Sequence, residues 1–375
     1  MTRILIAAGG TGGHVYPALA VASVLRDRGH DVAFTGGDRI EARVVPEAGF
    51  VLHRLPSRGL PRTDRGVTGR AKVAVRALGV ASVSSVALVR AWRLVGRLRP
   101  DVVLAMGGHT SLAPSLAAGM RRLRLVLHEQ NARLVGAHRI AARFASVIAL
   151  SLPLEDPRAI PSRVKVVETG NPVRNQIAEL RDDRVRAAKR AAGLSVFGLD
   201  DGRPIVLAFG GSLGSGAING ALPACAAAVG DAQIVHVTGR DHVHAVERAW
   251  HGTGADVRVV AYVDAMEEAY AVADVVVSRS GATTVAELAV AGLPAIVVPL
   301  PNAPSGAQPA NARVLAGRDA ATIVEEGDAF ADRLAAALHV LLSDADRRRA
   351  MGRAAASLGH PDASQLLADL VTGVG

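Results

Sequence analysis

Two segments of the 375-residue chain restrict its fold more than any other feature, because each joins an apolar run to a cluster of glycines. In the first, Ile4–Ala8 precedes Gly9–Gly13; in the second, Ile205–Phe209 precedes Gly210–Gly216. An apolar run that ends in glycines is typical of a buried strand that turns tightly into a helix. The two halves of the chain open in the same way, so the sequence predicts two Rossmann-like domains in tandem.

Other short apolar runs support this prediction, since they lack the alternation of half-buried strands and are typical of parallel sheets covered on both faces. They alternate with helical patterns, which indicates a doubly wound α/β architecture. We expect an N-terminal domain at 1–170, a second at 171–345 after a turn at Gly170-Asn171-Pro172, and C-terminal helices at 346–375 that return to the first domain. The predicted strands are Arg3–Ala8, Val32–Thr35, Asp101–Met106, Arg124–His128, Ser146–Leu150, Val164–Glu168, Pro204–Phe209, Gln233–Thr238, Val257–Ala261, Asp274–Ser278 and Pro294–Pro299.

Composition excludes several classes of protein. Hydrophobic residues make up 50% of the chain and charged residues 21%, which suits a folded core and not a disordered chain. The single cysteine, Cys225, allows no intrachain disulfide and fits a reducing compartment. Aromatic residues, at 3%, are too few for a binder that stacks single-stranded bases. We expect neither a secretory signal nor a membrane span, because the uncharged stretch Ala77–Val89 is shorter than the roughly 20 residues that a span needs.

The positive charge is concentrated in the first half of the chain. Residues 1–170 hold 25 Lys and Arg against 11 Asp and Glu, whereas residues 171–375 hold 18 against 23. Within the first half, Arg62–Arg99 combines nine basic residues and a single acid, Asp64, with apolar residues at helical spacing and Trp92. An apolar face edged with arginines suits an anionic membrane surface. A core-facing helix with a solvated basic face is an equal alternative, and nucleic acid is a third.

Both glycine clusters lie where backbone N–H groups can face an anion. Neither has the Gly-x-Gly-x-x-Gly pattern with a following acid, so NAD is disfavoured, and neither ends in the Gly-Lys-Ser/Thr of a P-loop kinase or ATPase. We expect no metal site, since Asp344-Ala345-Asp346 is predicted to cap a helix and His242 and His244 have no partners at ligand spacing. No cofactor is expected.

Polar residues after predicted strands are the candidates for chemistry. His14 follows the first glycine cluster and is either a capping or core histidine, or a general base whose pKa the positive end of a helix lowers. Gly107–Ser111 and His128–Asn131 follow two further strands, at the edge where open α/β sheets bind ligands.

The second half offers a carboxylate and two amides. Glu287 either forms a capping box with Thr284 or binds two ribose hydroxyls, and the spacing alone does not decide. Gln308 and Asn311 are amides suited to sugar hydroxyls, with an ordinary polar loop as the alternative.

Six motifs, in order along the chain, together resemble the MurG family of GT-B glycosyltransferases. The resemblance implies two Rossmann-like domains facing a cleft and an inverting transfer of N-acetylglucosamine from UDP-N-acetylglucosamine to the C4 hydroxyl of lipid I, undecaprenyl-diphospho-muramoylpentapeptide. The product would be lipid II for peptidoglycan synthesis, which supports cell shape and division. The motifs are Gly9–Pro17, His128–Asn131, Thr169–Arg174, Gly210–Gly214, Tyr262–Met266 and Ser280–Glu287.

The resemblance also implies roles for individual residues, with no metal and no cofactor. The catalytic base would be His14 or Glu129. The acceptor would contact Gly10, His14, Gly107, Gly108 and His109. The donor would contact Thr11, Gly12, Gly13, Asn131, Arg174, Ser212, Gly214, Val263, Glu287, Gln308 and Asn311. The membrane would contact Arg70, Lys72, Arg76, Arg90, Trp92 and Arg93.

The implied partners are UDP-N-acetylglucosamine, lipid I, the anionic cytoplasmic surface of the cell membrane, where the protein would be peripheral, and proteins of cell-wall synthesis. No nucleic acid is implied. The chain departs from the family at His109, where a tyrosine is usual, at Ser305-Gly306-Ala307 and at Ala217-Ile218-Asn219. Three alternatives remain open: a GT-B transferase with a soluble acceptor, a UDP-sugar epimerase of the same fold, and a non-catalytic, membrane-associated nucleotide-sugar sensor.

Overall fold

The computed structural model describes residues 1–56, 85–134, 136–211, 214–303 and 306–373. The chain divides into two compact units. The first unit comprises Met1–Gln130, Leu134–Pro172 and Ala363–Gly375, and the second comprises Asn131–Arg133 and Val173–Asp362. Each unit contains one parallel sheet with interleaved helices, which confirms the predicted α/β fold class.

The first unit contains a seven-stranded sheet in which every pairing is parallel. Its strands are β1 (Arg3–Ala7), β2 (Asp31–Gly36), β3 (Val51–Arg54), β4 (Val102–Ala105), β5 (Arg124–Glu129), β6 (Val147–Leu150) and β7 (Lys165–Glu168). They lie in the order β3-β2-β1-β4-β5-β6-β7. The sequence analysis missed β3, an edge strand whose Val51 is 61% exposed, because it lacks the continuous apolar run that identifies a buried strand.

Six described helices belong to the first unit: α1 (Gly12–Asp27), α2 (Glu41–Glu47), α3 (described over 85–98), α4 (Leu112–Met120), α5 (Gly136–Ala141) and α16 (Ala363–Thr372). The C-terminal helix α16 packs on α1 and contributes Leu367, Ala368 and Val371 to the same buried core cluster. Polar contacts hold it in place, since Arg28 Nη1 lies 2.5 Å from Asp369 Oδ1 and Arg124 Nη2 donates to the Leu370 carbonyl at 2.7 Å.

The second unit contains a six-stranded sheet, also parallel at every pairing. Its strands are β8 (Ile205–Phe209), β9 (Gln233–Val237), β10 (Asp256–Val260), β11 (Val275–Ser278), β12 (Ala295–Val297) and β13 (Ala321–Ile323). They lie in the order β10-β9-β8-β11-β12-β13. In both sheets the strand that precedes a glycine cluster, β1 or β8, therefore has neighbours on both sides. The sequence analysis missed β13, which has only three residues.

Ten described helices belong to the second unit: α6 (Asn175–Ala178), α7 (Asp183–Phe197), α8 (Gly216–Ala221), α9 (Ala226–Val229), α10 (Val243–Trp250), α11 (Met266–Val272), α12 (Ala282–Ala291), α13 (Ala307–Ala316), α14 (Phe330–Ser343) and α15 (Ala345–Ser357). Asp344 caps α15 by accepting from the Arg347 N–H at 2.9 Å, so the predicted capping role of Asp344-Ala345-Asp346 is confirmed. Among the described helices of both units, none has the length and apolar character needed to cross a membrane.

Candidate functional site

Three polar segments of the first unit meet at one edge of its sheet. The Gly9–Gly13 loop follows β1, the Gly107–His109 loop follows β4, and Glu129 is the last residue of β5. Because β1, β4 and β5 are adjacent and parallel, their carboxyl ends bring these segments together. The sequence analysis predicted this grouping, and open α/β sheets bind ligands at such an edge.

The first glycine loop is held from behind by Glu41, a buried carboxylate at the start of α2. Its Oε2 accepts from the Gly10 N–H at 3.0 Å, and its Oε1 accepts from the Gly37 N–H at 2.9 Å. A Cβ at Gly9 would lie 2.6 Å from Glu41 Oε1 and would displace this carboxylate, and Gly10 has φ +92°, a conformation that favours glycine. Sequence reasoning missed Glu41, which lies four residues after Gly37 and becomes a neighbour of Gly10 only in the folded unit.

His14 lies between the two glycine loops of the first unit. Its Nδ1 is 2.9 Å from Thr11 Oγ1, and a Cβ at Gly107 would lie 3.2 Å from its Nε2. Burial, assisted by the charge of His138, lowers the pKa of His14 to about 4. The imidazole is therefore neutral near pH 7 and has a lone pair to accept a proton.

Glu129, the other candidate base, is in contact with a second histidine, His138. The carboxylate is 1% exposed, and its Oε2 lies 3.1 Å from Nδ1 of His138, which is itself buried. This contact makes His138 the partner of Glu129. Sequence reasoning missed His138, because a lone histidine outside every motif gave no sign that the fold would place it beside Glu129.

Several buried polar atoms at this edge have no hydrogen-bond partner among the described residues. Buried polar atoms are normally paired, so such a group is suited to a polar ligand. Burial also lowers the pKa of His109, whose ring lies beside Gly10. The atoms are Thr35 Oγ1, His109 Nε2, Thr110 Oγ1, His128 Nδ1, Gln130 Nε2, His138 Nε2, and both Asn171 Oδ1 and Nδ2.

The Nε2 atom of His128 has a structural role, unlike Nδ1, which has no partner among the described residues. Its Nε2–H donates to the Gly170 carbonyl at 2.9 Å, and Ser151 Oγ lies 3.2 Å from the same nitrogen. Burial lowers the pKa of His128 to about 4. The ring therefore joins β5 to the Thr169-Gly170 turn as a neutral group.

In the second unit, Glu287 has a different environment from the capping box that its spacing allowed. Helix α12 begins at Ala282 after an extended Gly281, so the capping-box interpretation was wrong: Thr284 is not the N-cap. Glu287 Oε2 instead accepts from the Tyr270 hydroxyl at 2.9 Å, and Oε1 lies 3.5 Å from Arg174 Nη2. Burial raises the pKa of Glu287 against the lowering effects of Arg174 and Tyr270. Tyr270 was not predicted.

The amides Asn131 and Asn311 bind each other. Asn311 is fully buried; its Oδ1 accepts from the Ala132 N–H at 2.8 Å, and its Nδ2 donates to Asn131 Oδ1 at 3.2 Å and to the Ser280 carbonyl at 3.1 Å. Gln308 Oε1 accepts from the Leu300 N–H at 2.9 Å. The predicted amides thus lie near one another, and Asn311 braces residues 131–133 against the loop after β11.

The second glycine loop packs closely on the end of β9. A Cβ at Gly214 would lie 2.0 Å from the Thr238 carbonyl oxygen, and Gly214 has φ +74°. A buried chain supports Thr238: Trp250 Nε1–H donates to His236 Nδ1 at 3.1 Å, His236 Nε2 lies 3.1 Å from Asn219 Oδ1, and Asn219 Nδ2 donates to the Thr238 carbonyl at 2.9 Å. Val263 lies half-buried between β10 and α11. Ser212 lies outside the described residues.

Half of the residues predicted to face a membrane can be placed. Arg70, Lys72 and Arg76 lie outside the described residues, whereas Arg90, Trp92 and Arg93 are exposed on α3. The Arg121 guanidinium lies 4.1 Å from the centre of the Trp92 ring, within cation–π range. A cavity of about 370 Å³ beside α3 has no acidic residue in its described lining, which comprises His53, Arg54, Leu55, Arg90, Arg93, Leu94 and Arg97.

Within the described residues, no group of three His, Cys, Asp or Glu side chains could hold a metal ion. His244 Nδ1 lies near Glu247, an exposed neighbour on α10.

Comparison with known proteins gives matches over both halves of the chain. Residues 4–150 match the glycosyltransferase family 28 N-terminal domain, and residues 205–367 match the glycosyltransferase family 28 C-terminal domain. A protein of Salinibacter ruber is 39% identical over 98% of this chain and 95% of its own length. A protein of Nocardioides sp. is 38% identical over 100% and 98%. Both are described as UDP-N-acetylglucosamine–N-acetylmuramyl-(pentapeptide) pyrophosphoryl-undecaprenol N-acetylglucosamine transferases.

Among solved structures, the crystal structure of Acinetobacter baumannii MurG is similar over 100% of both chains. The identity is 28% and the TM-score is 0.75.

Proposed function

Since the chain belongs to glycosyltransferase family 28, and within it to the MurG family, we propose that it moves N-acetylglucosamine from UDP-N-acetylglucosamine to the C4 hydroxyl of lipid I. The product is lipid II, the disaccharide precursor of peptidoglycan. The activity for which the relatives from Salinibacter ruber and Nocardioides sp. are named supports this reaction. The observation that carries the proposal is the neutral imidazole of His14, held between two glycine loops at the ligand-binding edge of its sheet.

His14 is the base of the proposed reaction. In the productive tautomer, Nδ1–H donates to Thr11 Oγ1 and Nε2 holds the lone pair. Nε2 takes the proton of the C4 hydroxyl while the C4 oxygen attacks the anomeric carbon. The bond from that carbon to the diphosphate breaks, UDP leaves with the electron pair, and the α-linked sugar becomes β-linked.

The contacts favour His14 over Glu129 in this role. The Glu129 carboxylate is enclosed and engaged by His138, whereas His14 as a residue is only half-buried. A carboxylate that would first have to leave a buried partner is poorly placed to take a proton from a substrate. Glu129 then acts through its neighbour and sets the orientation of His138.

We assign the donor to the second unit. Glu287 accepts hydrogen bonds from two ribose hydroxyls, Val263 pairs with uracil through its backbone, and Arg174 neutralises the carboxylate from the other side. The N–H groups of the Gly210–Gly214 loop stabilise the charge that develops on UDP. The N-acetylglucosamine of the donor is bound by three amides, Asn131, Gln308 and Asn311. Ser212, from the Gly210–Gly214 segment of the sequence, contacts the diphosphate.

We assign the acceptor to the first unit. The N–H groups of the Gly9–Gly13 loop, at the positive start of the long helix α1, receive the lipid diphosphate. Gly107, Gly108 and His109 form the second side of this site. The unpartnered polar atoms at the same edge supply further contacts to the sugar and peptide of the acceptor.

The same unit docks on the anionic cytoplasmic surface of the membrane. Arg90, Arg93 and Trp92 on α3, with Arg70, Lys72 and Arg76 in the preceding segment, provide the contact. Each basic side chain near such a surface contributes about 1 kcal/mol of attraction. As a peripheral membrane protein, it reaches its lipid-linked acceptor at this surface, alongside other proteins of cell-wall synthesis. Its product supports cell shape and cell division.

The test is release of UDP from UDP-N-acetylglucosamine, with and without a short-chain lipid I analogue. We expect release only with the analogue, together with a β-linked disaccharide product. Donor binding without release would contradict the transferase and favour a sensor. Release that needs no acceptor would favour an epimerase of this fold, and release with a water-soluble acceptor instead of the analogue would favour a different transferase.

A further inference from the structure

We propose that Tyr270 is a positioning residue for donor binding, because its hydroxyl holds the Glu287 carboxylate in the ionised, ribose-accepting form. The inference rests on the proposed function, since it deepens the role of Glu287 in the donor site. No motif of the sequence pointed to Tyr270, which lies on a different helix and becomes a neighbour of Glu287 only in the folded unit.

The contact between the two side chains is direct and buried. The Tyr270 hydroxyl donates to Glu287 Oε2 at 2.9 Å, Tyr270 is fully buried, and Glu287 is 7% exposed. A hydrogen bond to an ionised acceptor in such surroundings is stronger than one in water. Loss of the hydroxyl would leave a buried carboxylate oxygen without this donor.

Within the part of the chain that the structure describes, Arg174 is the other donor to Glu287, and its contact is weaker. Arg174 Nη2 lies 3.5 Å from Oε1, and the Arg174 side chain is 37% exposed. A longer contact to a solvated guanidinium holds the carboxylate less firmly than the enclosed phenol does. The two donors also act on different oxygens, so loss of Tyr270 leaves Oε2 without the donor that it has in this structure.

Packing alone would not require a tyrosine at this position. The Tyr270 ring lies edge-on to Phe209, with 6.1 Å between ring centres. A phenylalanine would preserve that contact and the burial of the ring. The role of the hydroxyl is therefore its hydrogen bond to the Glu287 carboxylate. Burial together with Glu287 raises the pKa of Tyr270 well above its usual value, so the hydroxyl stays protonated and remains a donor.

The charge state of Glu287 depends on few groups. Among the described residues, those that act on the carboxylate are Arg174, before α6, and Tyr270, on α11. Arg181, beside α12, donates instead to the carbonyls of Ala289 and Ala356. Burial raises the pKa of Glu287, and both partners oppose that rise. Removal of the Tyr270 hydroxyl must then raise the pKa of Glu287 further.

A protonated Glu287 would bind the donor less well. The ionised carboxylate has acceptor positions for two ribose hydroxyls, whereas the neutral acid has lost one of them to its own proton. Donor affinity should therefore fall as the pH falls through the pKa of Glu287. Without Tyr270 that fall should begin at a higher pH.

The test is Tyr270→Phe in the full chain, with the Kd of UDP measured by calorimetry at pH 8, 7 and 6. We expect UDP to bind about tenfold more weakly than to the wild type at pH 6, with a smaller difference at pH 8. The KM for UDP-N-acetylglucosamine should follow the same pattern, while kcat at saturating donor stays within about twofold. An equal loss at every pH, or a loss confined to kcat, would overturn the proposal.

Glu287→Gln supplies the matched control, because it removes the titrating charge but keeps the shape of the side chain. Its UDP affinity should be low and should keep only the pH dependence that the terminal phosphate of UDP itself brings, and adding Tyr270→Phe should cause no further loss. Losses that multiply in the double variant would show that Tyr270 acts through packing, which overturns the proposal. If the wild-type protein does not bind UDP at all, the donor assignment itself fails. If the wild type binds UDP and Tyr270→Phe shows the same pH profile, only the role of Tyr270 fails.

Discussion

The polar groups at the edge of the first unit and those around Glu287 in the second unit are held in opposite ways. In the first unit, buried atoms of His109, Thr110, Gln130 and Asn171 have no described partner. In the second, Glu287 has Tyr270 as its donor, and Asn311 is bonded on both of its polar atoms. Since an unpaired buried polar atom costs free energy, the first region is completed by its ligand, whereas the second is complete before its ligand arrives.

This difference means that binding of the donor and binding of the acceptor should have different free-energy costs. A site whose polar groups are already fixed loses little further freedom when a ligand enters. A site with unpaired groups gains more from ligand contacts but is less stable without them. Mutations in the donor region should therefore mainly lower the free energy of unfolding. Mutations in the acceptor region should mainly weaken ligand binding.

The largest effect expected is on catalysis in the first unit. His14→Ala removes the proposed base, so we expect kcat to fall by about 10²- to 10⁴-fold while the Kd of UDP is unchanged. Initial rates with a lipid I analogue measure this effect. Glu129→Gln, which removes the competing carboxylate, should cost less; a greater loss in Glu129→Gln would identify Glu129 as the base.

Acid should destabilise both units through one buried histidine in each, His128 and His236. Burial lowers the pKa of each to about 4 from the ordinary histidine value of 6.5, so the unfolded chain binds more protons between those values. Stability is therefore full above pH 6.5 and falls as the pH drops towards 4. Between pH 7 and pH 5 each histidine should cost about 2 kcal/mol.

Urea unfolding at the two pH values measures this loss. His236→Gln should flatten the pH dependence of the second unit even if it lowers stability throughout, because glutamine does not titrate. A pH dependence of unchanged steepness would show that His236 is not among its sources.

Asn311→Ala tests the completed region. It leaves the Ala132 N–H and the Ser280 carbonyl without their partner, so we expect the free energy of unfolding to fall by about 1–3 kcal/mol. Chemical denaturation at pH 7 without ligand measures the loss. A variant as stable as the wild type would mean that water replaces the amide, and the region would not be complete on its own.

Asn171→Ala is the corresponding change in the first unit and should have the smallest effect on stability. Both polar atoms of Asn171 lack described partners, so their removal should change the free energy of unfolding by less than about 0.5 kcal/mol. The KM for the lipid I analogue should rise instead. A loss of stability like that of Asn311→Ala would remove the distinction between the two regions.

The sequence predicted the buried strands well because burial on both faces of a sheet leaves a continuous apolar run. β1 and β8 both show such a run. Of the four edge strands, β7 and β10 were predicted, whereas β3 and β13 were missed. β3 has an exposed Val51 and β13 has only three residues, so neither shows a continuous apolar run of useful length.

The candidate site was predictable where the backbone defines it. Glycine loops and His14 follow from a tight turn and a helix start, both of which are local. Glu41, His138 and Tyr270 were not predictable, because each meets its partner only through the order of strands and helices. The capping-box interpretation of Glu287 was wrong for a related reason: a helix can start at an extended glycine, and Gly281 placed the start of α12 earlier than Thr284.

The position of α16 has a consequence for the protein's synthesis. Leu367, Ala368 and Val371 complete the core of the first unit, yet the ribosome makes all of Val173–Asp362 before it makes them. Domains usually fold in the order of their synthesis. Here the first unit emerges early with part of its apolar surface uncovered, while the second unit has its whole chain available sooner. The half of the molecule that is translated first is therefore the half that finishes folding last.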